Sequence, residues 1–213
     1  MRRWFLLCRQ AVGEQDHLLD LFCAEQGLVR VRVSPPVLTP DLLCRYEGDW
    51  QAGKDWPKLR GVAEVRPYPA SGDALICALY ISELLQLLLP QGEPQTGIYV
   101  LYRQTLQALS DGEAADVWLR FFEINLLQHL GYGFSWSHTA SGEPLHPEQA
   151  YRYETGQGLS PAAEGSSGAA LLAVAGGQLS DPAALLAARQ VLRQAFNDIL
   201  PRPLVSRELL IRG

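Results

Sequence analysis

The strongest constraint on the fold is a change of hydrophobic period close to residue 70. Before it, WFLLC (4–8), HLLDLFC (17–23), LVRVRV (28–33), LLCRYEG (42–48) and KLRGVAEV (58–65) are short apolar or alternating runs separated by Gly13, Gly27, Pro35-Pro36 and Gly53. Runs of that kind, bounded by turn residues, read as strands. Five of them in so short a stretch fit a small OB-type barrel. After Pro67 and Pro69 apolar side chains recur at helical spacing, which puts the boundary within 67–73. The expected architecture is α+β: a five-stranded OB-fold β-barrel over 1–69, then a mainly α-helical domain over 70–213.

Within that second part a helix is expected over 73–89, stopped by Pro90, and another over 95–109 with Tyr99, Tyr102, Leu106 and Leu109 on one face. A third is expected to open at Ser110-Asp-Gly-Glu113, which has capping-box spacing, and to close at Gly131. Residues 131–180 are rich in Gly, Ser, Pro and Tyr, so irregular structure is expected there, with short strands at 151–154 and 169–174. Asp181-Pro182 supplies an N-cap and N1 pair for a helix to about Leu200, with Leu185, Leu192, Phe196 and Ile199 as its inner stripe. Pro201 and Pro203 break it before a last helical turn, VSRELLIR.

The totals exclude several function classes. With 47% hydrophobic and 19% charged residues in 213, the chain can bury a real core. Residues 1–70 hold 10 Lys+Arg against 9 Asp+Glu, and 71–213 hold 8 against 14, so neither half has the basic excess of a protein that binds nucleic acid by charge alone. Cys8, Cys23, Cys44 and Cys77 sit singly in apolar settings, the pattern of reduced buried thiols in a cytoplasmic protein, and neither they nor the four histidines have metal-ligand spacing. No metal or other cofactor is expected. MRRWFLL lacks the apolar length of an export signal, and ALICALYISELLQLLL (74–89), interrupted by Ser82, Glu83 and Gln86, reads as a buried helix rather than a membrane span.

Few residues present themselves for chemistry. No phosphate-binding glycine loop is present. Ser141, His138 and Glu143 could be imagined as a hydrolytic set, but they lack a nucleophile-elbow context, and Glu83 and Glu123 fall on separate helices. In LVRVRV, Val29, Val31 and Val33 share one face and Arg30 and Arg32 the other. That second face is either a solvated surface or a contact for phosphates. In and just before LRFFEINLLQHLGYG (119–133), Asp116, Arg120 and Glu123 stand at helical contact spacing. The residues alone leave two readings open, an ion pair closing the edge of a core or a groove in which Arg120 receives a carboxylate.

Three segments together resemble the RecO family of bacterial recombination mediators: GEQDHLLDLFCAEQGLVRV (13–31); LYISELLQLLLPQGEP (79–94) followed by LRFFEINLLQHLGYG; and YRYETGQG (151–158) with PRPLVSRELL (201–210). The resemblance implies an N-terminal OB-fold, a helical C-terminal domain and no enzymatic activity. It implies binding to single- and double-stranded DNA, to RecR and to the acidic C-terminal tail of SSB, with RecA loaded indirectly and complementary strands annealed. Residues 131–180 contain no cysteine, which is similar to the zinc-free branch. The expected location is cytoplasmic, associated with the nucleoid. One departure matters. Where the family usually has a basic turn after the third strand, this chain reads VRVSPPVLTPD, with no cation between Arg32 and Arg45. DNA contact then rests on Arg2, Arg3, Arg30, Arg32 and Arg45, with Trp4, Tyr46 and Trp50 as stacking groups, and weak binding is expected in the absence of a partner. For the SSB tail, the expected residues are Arg120, Arg189, Arg193 and Arg207 around Phe121, Phe122 and Leu127.

Overall fold

The structure, a computed structural model, describes residues 1–12, 14–35 and 40–206. The chain forms two compact units, Met1–Glu113 together with the segment from Leu204, and Ala114–Pro203.

In the first unit, β1 (Arg2–Val12), β2 (Asp16–Cys23), β3 (Gly27–Val33), β4 (Cys44–Gln51) and β5 (Lys58–Pro67) close a barrel in the order β1-β2-β3-β5-β4. The five expected strands are all present. Closure is made by β3 and β5, which pair in parallel at Arg32 and Lys58. Alternation fills the interior: Leu6, Leu19, Leu21, Val31, Val33 and Leu59 are buried there, together with Trp4 and Tyr46. Those two aromatic rings stack on each other 5.0 Å apart, at paired positions of β1 and β4. Burial pushes the Tyr46 hydroxyl up to about 12.

Strand β1 breaks the alternation, because Trp4, Phe5, Leu6 and Leu7 are all buried. Its outer face is covered by α1 (Gly72–Leu88) and α2 (Thr96–Ser110). Phe5 meets Tyr99 at 5.4 Å and Tyr102 at 5.0 Å, and Phe22 meets Tyr99 at 5.5 Å. Burying each phenylalanine contributes roughly 2–3 kcal/mol. The two helices are tied together by a 2.7 Å hydrogen bond between the Ser82 and Tyr102 hydroxyls. Gly27, at positive φ, lets the β2–β3 turn approach the α1–α2 connection, where a side chain would run into the Glu93 carbonyl. Glu83 accepts from the Val205 and Ser206 amides (3.0 and 2.9 Å) and the Ser206 hydroxyl (2.6 Å), fastening the 204–206 segment to this unit.

The second unit contains α3 (Ala115–His129), a small antiparallel sheet of β6 (Ala150–Glu154), β7 (Gly158–Ala162) and β8 (Ser166–Ser167), then α4 (Gly168–Ala175) and α5 (Pro182–Ile199). The expected start of α3 at Ser110 is displaced. Ser110 is the last residue of α2, and Gly112 at positive φ ends that helix, with the Glu113 amide donating back to the Ala108 carbonyl. The expected strand at 169–174 is helix α4, whose N-cap Ser167 accepts from the Ala170 amide. Helix α5 begins as its sequence implies, with Asp181 accepting from the Ala183 and Ala184 amides at 2.7 and 2.9 Å. Most of the expected final turn lies outside the described residues.

Candidate nucleic-acid and peptide interfaces

Four of the five expected barrel arginines, Arg2, Arg3, Arg30 and Arg32, form ion pairs within the chain. Arg30 forms a two-pronged pair with Asp20, at 2.6 and 2.8 Å, from adjacent positions of β3 and β2. Asp20 is only 3% exposed and also accepts from Gln86 of α1 at 3.2 Å. Next along the same face, Arg32 pairs with Asp16. The hydroxyl of Ser34, and secondly Arg32, hold the Asp16 carboxyl below its ordinary range. At the other end of the barrel wall Arg2 pairs with Asp49 at 2.5 Å and Arg3 with Glu47 at 2.7 Å. Arg45 lies opposite Phe5, and its charge opposes the upward shift that burial imposes on Tyr99.

The expected stacking set needs correction. Trp4 and Tyr46 are barrel core and present no face to a ligand. Both point into the barrel, Trp4 on the same face of β1 as Leu6 and Tyr46 opposite it on β4. Trp50 is partly buried in the same core, with the Arg2 guanidinium 4.8 Å over its ring. The exposed indole is Trp56, in the β4–β5 loop, with the Arg30 guanidinium 5.9 Å over it and Lys54 and Lys58 as exposed neighbours in sequence. Its position between Lys54 and Lys58, in a loop ending at Pro57, was the available signal.

In the second unit Arg120 and Glu123 form a 2.8 Å ion pair one turn apart on α3, and both are buried, at 8% and 1% exposure. Arg120 is therefore a strut within its own helix. Phe122 and Leu127 are core residues, so neither reaches a peptide, whereas Phe121 is exposed and its ring stands edge-on to Trp118 at 5.3 Å. Arg189 and Arg193 are exposed on α5. Arg193 lines a cavity of about 340 Å³ together with Arg152, Gln190, Gln194 and Asn197, over a floor of Tyr151 and Val191. None of Arg120, Phe121, Phe122 and Leu127 lines it. Arg207 lies outside the described residues.

The imagined hydrolytic set does not assemble. His138 Nδ1 is 2.9 Å from the Ser137 hydroxyl, and Ser141 engages the Thr139 hydroxyl at 2.9 Å. Glu83 and Glu123 are committed to the Ser206 segment and to Arg120. Among the described residues, no helix is long and apolar enough to cross a membrane.

The sequence matches the family described as Recombination protein O C terminal over residues 69–208. It is 35% identical over 220 residues to a DNA repair protein RecO of Pseudomonas paraeruginosa, an alignment covering 97% of this chain and 93% of that protein. The chain belongs to the RecO family. Two further RecO relatives agree: one from Stutzerimonas stutzeri, 39% identical over 216 residues, covering 97% of this chain and 92% of that protein; and one from Pseudomonas putida, 44% identical over 143 residues, covering 65% and 63%. RecO membership gives the chain a role in DNA repair and recombination, and the closed barrel followed by helices is the architecture expected of it.

Proposed function

We propose that this RecO-family chain is a recombination mediator without enzymatic activity. It holds DNA on the barrel, takes the SSB C-terminal tail on the helical unit, binds RecR, and thereby promotes RecA loading and strand annealing. The observation that carries the DNA part is the β3 rim, where Arg30, Arg32 and Lys58 stand together at the point of barrel closure, beside an exposed indole. Cations with an aromatic group on an OB-type wall suit a nucleic-acid strand.

A second reading, an adaptor with weak or lost direct DNA contact, is favoured by a different observation. Arg30 and Arg32 are already matched by Asp20 and Asp16, so little counterion release is left for phosphates to drive. Gel shifts on single-stranded DNA over a salt series, with and without RecR, separate the two. The mediator gives binding whose logarithm falls with log salt at a slope of about −1.4 to −2.1, as expected for two or three phosphate contacts on a single strand. Absence of binding in both arms leaves the adaptor.

For the SSB tail, the terminal carboxylate is assigned to Arg193 and Arg189 on α5, the exposed members of the expected set, with the amide-lined cavity beside Arg193 receiving neighbouring acidic groups. Titration of a tail peptide against Arg193→Ala tests this. Weakening of about tenfold, the loss of one charge-assisted contact, is expected; unchanged affinity removes Arg193 from the site.

A further inference from the structure

The barrel's phosphate contacts are few and partly cancelled, yet one feature of its rim owes nothing to net charge. Trp56 is 39% exposed in the loop between β4 and β5. That loop is not a loose excursion. Its end is tied to β3 by the Arg32 amide donating to the Pro57 carbonyl at 2.7 Å. Its start doubles back so closely that a Cβ on Gly53 would lie 2.0 Å from the Trp56 carbonyl oxygen. Only glycine fits there. The indole is thus held beside a strand rather than offered on a flexible tip, and the Arg30 guanidinium lies 5.9 Å from its ring centre.

Around it stand Arg30, Arg32, Lys54 and Lys58, with Asp16, Asp20 and Asp55 as the nearby acids in sequence and pairing. Two of the four cations are held by carboxylates, so the electrostatic share of affinity is small. Stacking of a base on an aromatic face does not depend on that balance, and every base has such a face. In a duplex the faces are already stacked and unavailable; in a single strand they are free.

We propose that Trp56 is a stacking platform for an unpaired nucleobase, and that it gives this barrel a preference for single-stranded over duplex DNA. The inference rests on the DNA-binding reading above and adds to it the residue and the strand type. The bland alternative is that Trp56 only shields the Arg30–Asp20 pair from water, which would affect stability and not strand preference.

The test uses the full chain, a thymidine oligonucleotide and a hairpin duplex of equal length. Trp56→Ala is expected to weaken single-strand binding about tenfold, as loss of one stacked base implies, while duplex binding stays within about twofold; Trp56→Phe keeps most of the single-strand affinity. Equal losses on both DNAs, or no loss on either, overturn the proposal while leaving DNA binding intact. A wild-type chain that binds neither DNA removes the underlying reading as well. Because Trp56→Ala could disturb the barrel, a second measurement needs no variant: photocrosslinking of the wild-type chain to a bromodeoxyuridine oligonucleotide, mapped by mass spectrometry. An adduct on Trp56 is expected, and adducts confined to other residues sink the proposal.

Discussion

Arginine is used in two ways in this molecule, and the difference is burial. On α3, Arg120 and Glu123 are one turn apart and both inside the second unit. On β3, Arg30 and Arg32 reach across to Asp20 and Asp16 with side chains that remain 30% and 41% exposed. Removing two charges from water is costly, and only their mutual attraction offsets it, so a buried pair depends on both partners. A pair that keeps water on both partners, as Arg32 and Asp16 do, can exchange its carboxylate for a phosphate, whereas Arg30 sets a partly exposed guanidinium on a buried Asp20. The same side chain is a strut in one unit and a candidate contact in the other.

The comparison breaks first at α3 if burial is not what matters. Arg120→Ala leaves the Glu123 carboxylate inside the unit without its guanidinium, and a loss of about 3–5 kcal/mol in urea unfolding is expected. Replacing both residues with methionine should restore most of that stability, because an apolar pair of similar volume avoids the desolvation cost. If Arg120→Ala is instead silent in unfolding and selectively weakens a tail peptide, the strut assignment is wrong. Arg30→Ala comes next. Its partner Asp20 is nearly as buried as Glu123 but keeps the Gln86 amide, so a smaller loss of about 2 kcal/mol is expected. A fall in DNA affinity for that variant must accordingly be read against its melting curve.

These distinctions were only partly legible in the sequence. The valine and arginine alternation of β3 showed which side of the strand each residue takes, and Asp181-Pro182 marked the start of α5, because period and capping are local properties. What covers a strand's outer face is not local. Helices α1 and α2 cover the outer face of β1, so Phe5 is buried although it points away from the barrel interior, where Trp4 and Leu6 pack. The eight-residue apolar run of α4 carries no period long enough to separate strand from helix, although Ser167 was a usable cap signal. For the arginines, residue type suggested partners outside the chain, while the acids that engage them come from β2 and β4, positions that only strand register brings opposite.

The smallest expected effect on stability sharpens the comparison most, because it has opposite signs in two measurements. Asp16 is held below its ordinary pKa by Ser34 and then Arg32. A carboxyl depressed in the folded state adds stability above its unfolded pKa, about 3.9, and that contribution is lost as pH falls through the lower folded value. Asp16→Asn should therefore cost slightly at neutral pH and flatten the acid limb of the stability curve below about pH 4. The same change frees the Arg32 guanidinium on the β3 rim, so single-stranded DNA should bind more tightly and with a steeper salt dependence. Arg120 offers no counterpart, since removing its acid leaves a buried charge rather than an available one. If Asp16→Asn lowers stability yet leaves DNA affinity and its salt slope unchanged, Arg32 is a strut like Arg120, and exposure does not separate the two classes of pair.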